Sequence, residues 1–127
     1  MDTKGYQHYK EQSINTMTQG ELLLLLYDEL VKRLTLGELA LEKKNYDLFD
    51  ASVQRGIDII RYLDGILDRQ YPISMELARM YEYFIYELGR AKIGRNAGVL
   101  THVKKLSMEM RDAFRQADKN AEAGKQV

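Results

Sequence analysis

The sequence has no cysteine and no tryptophan, a single proline and two histidines among 127 residues. Without cysteine there is no disulfide framework, no thiol nucleophile and no cysteine zinc site. His8 and His102 are far apart, and neither belongs to a Glu-x-x-His or His-Glu-x-x-His metal motif. No glycine-rich phosphate loop and no Gly-x-Ser-x-Gly elbow occurs. We therefore expect a protein that is not an enzyme and uses no metal or other cofactor.

An excess of one charge is also missing, because 19 basic and 19 acidic residues balance. The net charge is −3 over residues 1–64 and +3 over residues 65–127, a mild split that we interpret as a solvated surface. Nucleic acid and anionic membranes are therefore not expected as main partners. The N-terminus lacks a signal-peptide pattern, and no apolar run approaches the roughly 18 residues of a membrane span. We expect a soluble, cytoplasmic protein.

Helix-forming Leu, Glu, Lys, Arg and Met dominate what is present. Polar or glycine-flanked breaks at 43–47, 68–74 and 94–98 divide the chain. The four segments between them carry apolar residues at i, i+3, i+4 and i+7, which is the helical period. Because the connections are short, sequential helices should be antiparallel neighbours. The sequence predicts an all-α fold, an antiparallel up-down four-helix bundle over residues 18–117.

Each predicted helix has one apolar stripe for the core. The four stripes are Leu22, Leu26, Leu30, Leu34 and Leu41; Phe49, Val53, Ile57, Ile60, Leu63 and Leu67; Leu77, Tyr81, Phe84, Leu88 and Ala91; and Val99, Val103, Leu106, Met110, Phe114 and Ala117. Thr18 and Glu21 have the capping-box spacing, in which hydroxyl and carboxylate each satisfy an orphan amide. Ser74 and Asn96 are predicted N-caps of the third and fourth helices.

The two ends of the chain differ from the bundle. Residues 1–17 are polar, with Tyr6, Tyr9 and Ile14 scattered among them, and they are either a segment that folds back over an apolar groove or an unstructured tail. Residues 118–127 have no apolar face, so we predict a disordered, flexible C-terminal tail.

Helix 1 has more apolar surface than one stripe needs. At about 100° per residue, Leu25, Leu36 and Leu39 lie opposite its core stripe, and Leu24 and Val31 lie on a third flank. Such a surface predicts packing against another polypeptide, although scattered exposed leucines are also normal. Helices 2 and 3 likewise carry apolar residues beside their stripes, namely Ile59, Tyr62 and Ile66, and Met80, Tyr83 and Tyr86.

Four glycines fall inside predicted helices, where each costs about 1 kcal/mol relative to alanine. They are Gly37, Gly56, Gly65 and Gly89. Either the helices of the bundle approach each other closely there, or a helix docks from outside.

Taken together, these motifs resemble a known family, the bacterial flagellar secretion chaperones called FliS. The resemblance spans residues 6–117. It rests on Tyr6-x-x-Tyr9, Ile14-Asn15-Thr16, Gly20-Glu21-Leu22, Leu26-Tyr27-Asp28, Ile59-Ile60-x-x-Leu63-x-x-x-Leu67, Met80-Tyr81-x-Tyr83 with Leu88 and Ala91, and Arg111-Asp112-Ala113-Phe114. The family usually has proline at the position of Gln19, asparagine at that of Lys92 and tryptophan at that of Phe114.

The resemblance implies a cytoplasmic, ATP-independent export chaperone for flagellin. Such a chaperone binds the disordered C-terminal region of newly made flagellin, which wraps around the bundle and cannot polymerise prematurely. The pair is delivered to the gate of the flagellar type III export apparatus. We expect a monomer when free and a 1:1 complex with flagellin, with no nucleic acid and no membrane insertion.

For individual residues, the resemblance implies three roles. The displaceable cap is Tyr6, Tyr9 and Ile14, and Asn15 and Thr16 orient it. Flagellin contact is assigned to Leu22, Leu25, Leu26, Tyr27 and Tyr83.

Three other functions remain open. A self-associating structural or adaptor bundle would bury its extra stripes against copies of itself. An enzyme built on Asp28 and Glu29 is remote, because adjacent helical positions point in different directions. A nucleic-acid binder would use the modest basic patch of Lys104, Lys105, Arg111 and Arg115.

Overall fold

The computed structural model describes residues 17–125, which form four helices. These are α1 (Gln19–Glu42), α2 (Tyr46–Gly65), α3 (Ile73–Gly94) and α4 (Ala97–Lys125). α1 packs on α2 and α4, and α3 packs on the same two helices, so α1 and α3 lie across the diagonal of a bundle. The predicted all-α helical bundle is confirmed.

The pairing of α1 with α4 shows their antiparallel direction. Thr101 near the start of α4 donates to Glu38 near the end of α1, whereas Arg115 near the end of α4 donates to Asp28 near the start of α1. Connections of three, seven and two residues join the helices and leave room only for such up-down neighbours.

Polar side chains cap three of the four helix starts. Thr18 Oγ1 accepts from the Glu21 amide at 3.1 Å, Asn45 accepts from the Leu48 amide, and Asn96 accepts from the Val99 amide. The capping box differs from its predicted form, because the Glu21 carboxylate accepts from the Thr18 hydroxyl.

The start of α3 also differs from the prediction. Pro72, not Ser74, occupies the N-cap position, and no side chain caps the helix there. Proline fits a helix start because its fixed φ suits the first turn and it has no amide to satisfy. Ser74 is instead buried inside the first turn, and its hydroxyl has no hydrogen-bond partner among the described residues.

The core contains most of the predicted stripes. Five members of the α2 stripe and four of the α3 stripe are buried, and Leu67 and Leu77 pack against them. In α1, Leu30 and Leu34 are buried and Leu26 and Leu41 pack against the cluster, as predicted, and Tyr27 and Leu23 join them. Leu22 is only half-buried. Leu100 is a buried residue of α4 outside the predicted stripe.

The four glycines that the sequence analysis placed inside helices fall into two groups. A Cβ at Gly56 would lie 3.0 Å from Leu34 Cδ2, and one at Gly37 would lie 3.4 Å from Leu100 Cδ2. These two glycines therefore serve the close approach of the helices to each other. A Cβ at Gly65 or Gly89 would meet nothing within 4 Å, so the bundle does not need either of them.

α4 continues beyond its expected end. Residues 118–125 are helical, where the sequence predicted a disordered tail. Asp118 packs against Gly20 of α1, and Ala121 lines a groove together with Leu23, so contact with α1 supports the helix there although it has no apolar stripe. None of the helices in the described part is long and apolar enough to cross a membrane.

Candidate partner-binding surfaces

An apolar strip runs along the outer side of the α1–α2 pair. We define the α1–α2 strip as Leu22, Leu25, Leu36 and Leu39 of α1 with Leu48 and Tyr62 of α2. Gly37 of α1 approaches Ser52 and Val53 of α2, which fixes the flank of each helix that faces the other. At about 100° per residue, Leu25, Leu36 and Leu39 lie more than a quarter turn from Gly37, on the side of α1 that faces away from the core.

The strip is open to solvent for much of its length. Leu39, Leu48 and Tyr62 are 48%, 43% and 53% exposed, and the other three residues are half-buried. Exposed apolar surface that lines up along a helix pair is typical of protein-binding sites, whereas isolated exposed leucines are not. The sequence pattern had placed Leu25, Leu36, Leu39 and Tyr62 outside the core stripes, but it had not identified Leu48.

A polar pair interrupts the middle of the strip. The Arg33 guanidinium lies 3.5 Å from the Glu29 carboxylate one turn earlier on α1. Arg33 Nε is buried and has no hydrogen-bond acceptor among the described residues. The Arg33 side chain as a whole is 36% exposed, so its charge interrupts the apolar surface.

Tyr27, predicted to contact the partner, is a core residue instead. It is completely buried, and its hydroxyl lies 2.5 Å from the hydroxyl of Tyr81 on α3. The ring of Phe114 stacks on it with centroids 5.4 Å apart, so phenylalanine does fill an aromatic core position. The prediction was wrong for Tyr27 because the sequence could not show that its hydroxyl has an internal partner.

Burial shifts the pKa of both tyrosines. Desolvation, followed by the proximity of Tyr81, raises the pKa of Tyr27 far above its ordinary value. Desolvation also raises the pKa of Tyr81, although the hydrogen bond from Tyr27 acts in the opposite direction. Both hydroxyls are therefore protonated at neutral pH, and their pair is a neutral hydrogen bond.

Tyr83 lies on a different side of the molecule from the leucines of α1. It is 41% exposed on α3, and its hydroxyl lies 3.4 Å from His102 Nε2 on α4. Its ring meets the His102 ring edge to face. The predicted contact residues thus do not form one patch: Leu22, Leu25 and Leu26 lie on α1, and Tyr83 lies at the α3–α4 edge.

A cavity of about 540 Å³ opens at the end of the bundle where α1 begins. Leu23, Leu67, Leu77 and Phe114 form its apolar walls, with Gln19, Asp68 and Tyr71 among its other lining residues. The buried Tyr81 also lines this cavity, so the tyrosine pair lies next to it. The predicted cap residues Tyr6, Tyr9 and Ile14, and the orienting residues Asn15 and Thr16, lie outside the described residues.

Ion pairs hold α4 to α1. Asp28 of α1 lies 3.6 Å from Arg111 and 3.4 Å from Arg115, both on α4. Glu38 of α1 lies 2.7 Å from Lys104 of α4. Partial burial alone would raise the pKa of Glu38, but hydrogen bonds from Lys104 and Thr101 outweigh it, and the pKa lies below its usual value. Three of the four residues of the predicted basic patch are therefore already paired with acidic residues of the protein.

Lys92 joins two helices of the bundle. Its ammonium donates to the Gln54 side chain at 3.0 Å and ties α3 to α2. Among the described residues, no group of three or more histidine, cysteine or acidic side chains could hold a metal ion.

Comparison with known proteins gives a class for this bundle. A family model described as "Flagellar protein FliS" matches residues 2–121. The chain is also 32% identical over 112 residues to the "Flagellar secretion chaperone FliS" of Bacillus subtilis (strain 168), covering 88% of this chain and 84% of that protein. The protein formed by this helical bundle is therefore a flagellar secretion chaperone. The chain is a member of the FliS family.

Proposed function

We propose that this chaperone binds the C-terminal segment of newly made flagellin in the cytoplasm, prevents its premature polymerisation and delivers it to the flagellar type III export apparatus. The observation that carries the proposal is the α1–α2 strip, an apolar surface that the bundle leaves partly exposed on both sides of the Glu29–Arg33 pair. Membership in a family of flagellar secretion chaperones supports a flagellar protein as the occupant.

The shape of the strip suits an amphipathic segment that becomes helical on binding. Leu22 and Leu25 at one end and Leu36 and Leu39 at the other would receive apolar side chains spaced along such a segment. Between these ends, Arg33 offers a guanidinium to a backbone carbonyl or a carboxylate. Ordering a disordered chain costs several kcal/mol, so the apolar area of the contact has to be large.

The position of Tyr83 supports a flagellin segment that wraps around the bundle. Because α3 lies diagonally across from α1, one straight helix cannot touch both Leu25 and Tyr83. A segment that follows the strip and then crosses to the α3–α4 edge would reach both. Such wrapping would sequester the flagellin segment in a 1:1 complex.

The N-terminal segment would act as the displaceable cap. The chain enters α1 at Thr18, beside the end cavity, and that cavity has apolar walls that Tyr6, Tyr9 or Ile14 could fill. In the free chaperone these side chains would cover apolar surface, and flagellin would displace them. The role that we propose for residues 1–17 is therefore binding and not catalysis.

Calorimetric titration tests the proposal. The full chain is titrated with a peptide covering roughly the last forty residues of flagellin from the same bacterium, at several temperatures. We expect saturable 1:1 binding, a negative heat-capacity change and a gain of helical circular dichroism.

The alternative is a self-associating bundle that covers its strip with another copy. Dimerisation at micromolar concentration in sedimentation experiments, with no heat from the flagellin peptide, would favour that alternative and exclude flagellin as the client.

A further inference from the structure

The C-terminal end of α3 has an exposed apolar depression. Ile93 is 89% exposed and Tyr86 is 68% exposed, the two highest values among the large apolar side chains described. Gly89 lies between them, one turn from each, and lines a depression of about 550 Å³. Ile85 and Gly94 complete its lining. Tyr86 and Ile93, on either side of the exposed backbone at Gly89, form a site that can accept an apolar side chain.

The bundle gives no internal reason for the glycine. Glycine inside a helix costs about 1 kcal/mol relative to alanine. Gly37 and Gly56 offset that cost by close helix packing, whereas a Cβ at Gly89 would meet nothing within 4 Å. An outside chain that approaches the backbone of α3 would use this open space.

Basic residues dominate the segment that contains the depression, although the buried Glu87 pairs with Arg90 at its edge. Residues 88–108 contain five lysines and arginines and no aspartate or glutamate, although the whole chain is neutral. We define the basic corner as Tyr86, Gly89, Arg90, Ile93 and Arg95. Arg90 and Arg95 are both exposed there.

The two arginines of the basic corner are held in place by other parts of the protein. Arg90 donates to Glu87 at 3.0 Å, and about half of the Arg90 side chain remains exposed. Arg95 ends α3 in a left-handed conformation, with its guanidinium 3.6 Å from the centre of the Tyr46 ring. Cations that are already oriented lose less side-chain entropy when they pair with an incoming carboxylate.

We propose that the basic corner is a second protein-binding site, separate from the α1–α2 strip, whose partner is an acidic amphipathic helix. One large apolar side chain of that helix sits over Gly89 between Tyr86 and Ile93, and its carboxylates face Arg90 and Arg95. Charge favours an acidic chain, and the apolar walls favour a protein over a nucleic acid, which would leave Ile93 in water. The contact area is small, so the complex is transient.

The test uses two synthetic helical peptides and the full chain. Both peptides carry leucine at i, i+3, i+4 and i+7, and their remaining surface positions are glutamate in one and lysine in the other. Backbone amide signals of the ¹⁵N-labelled chaperone are followed during titration. We expect the glutamate peptide to shift the signals of Gly89, Ile93 and Arg95 saturably, and to bind at least tenfold more tightly than the lysine peptide.

Two glycine variants make a matched pair. Gly89→Leu fills the depression and should weaken binding of the glutamate peptide at least tenfold. Gly65→Leu also adds a side chain where nothing lies within 4 Å, so it should leave binding unchanged. Both variants should keep the wild-type circular dichroism spectrum.

Several results would overturn the proposal. Equal binding of the two peptides would mean an unselective apolar patch, and unchanged binding by Gly89→Leu would place the site elsewhere. If the wild type dimerises and Gly89→Leu abolishes the dimer, the partner at this site is a second copy of the chain. If a short DNA duplex displaces the glutamate peptide, the partner at this site is a nucleic acid. None of these readouts requires flagellin to be the client.

Discussion

The hydroxyls of Tyr27 and Tyr81 lie 2.5 Å apart in the buried centre of the bundle and join α1 to α3. Because these two helices lie across the diagonal, this hydrogen bond links elements that are not neighbours in the bundle. Its burial makes it sensitive to loss of either partner, since a single hydroxyl left behind would be desolvated and unpaired.

Replacing one tyrosine of the pair should cost more than replacing both. Tyr27→Phe leaves the Tyr81 hydroxyl buried without a partner and should lower the free energy of unfolding by about 1–3 kcal/mol. The Tyr27→Phe/Tyr81→Phe variant removes both polar groups and should recover part of that loss. Urea denaturation of the four proteins in the double-mutant cycle measures the coupling. Strictly additive losses would contradict the hydrogen bond.

The same pair predicts instability at alkaline pH. The folded pKa values of Tyr27 and Tyr81 lie above the ordinary 10.0, so their contribution to stability is fully present below pH 10. Above pH 10 the unfolded chain loses protons that the folded chain keeps, and stability falls as pH rises. Melting temperature from pH 8 to 11.5 should drop more steeply for wild type than for the doubly substituted variant. Parallel curves would contradict this prediction.

The helical glycines predict opposite responses to alanine. Gly89→Ala adds a methyl group in open space and should stabilise the fold by about 0.5–1 kcal/mol through helix propensity and a less flexible unfolded chain. At Gly56 the new Cβ would lie 3.0 Å from Leu34, so Gly56→Ala should lose that gain or destabilise the protein. Thermal unfolding ranks the two variants, and a more stable Gly56→Ala would refute the close approach of α1 and α2.

The link between Glu38 and α4 predicts sensitivity to acid. The pKa of Glu38 is lowered from 4.5, because hydrogen bonds from Lys104 and Thr101 outweigh its desolvation. Its contribution is therefore present above pH 4.5 and is lost as pH falls through the lower, folded pKa. Glu38→Gln should lower stability by about 0.5–1 kcal/mol at pH 7 and by less at pH 3. A difference that stays constant between these pH values would exclude this ion pair as its cause.

Some parts of the fold could be predicted from the sequence because a polar side marks the outside of the helix. In α2 and α3, polar residues separate the apolar ones, and the stripes through Ile60 and Phe84 proved to be core. In α1 the run of leucines at 22–26 leaves no polar side, so helical period alone could not decide the orientation. The structure resolves it by burying Tyr27 and leaving Leu22 and Leu25 half-buried outside the core cluster.

Other features depend on the tertiary structure. Tyr27 and Tyr81 are 54 residues apart, and only the packing of α1 near α3 shows that their hydroxyls meet. Likewise, the sequence showed that Gly56 and Gly89 are helical but not which of them faces another helix. The end of α4 was missed because its support is a tertiary contact, Asp118 against Gly20 of α1, and not the apolar stripe on which the prediction depended.

The central claim is that the α1–α2 strip binds the C-terminal segment of flagellin, and a pair of variants tests it most directly. Leu25→Asp places a charge on the strip at a half-buried residue, and Met108→Asp places the same charge on an exposed apolar residue of α4. Neither side chain is in the core, so both variants should melt near wild type. We predict that Leu25→Asp weakens calorimetric binding of the flagellin peptide at least tenfold and that Met108→Asp leaves it unchanged. Wild-type affinity in Leu25→Asp, with the fold intact, would contradict the account.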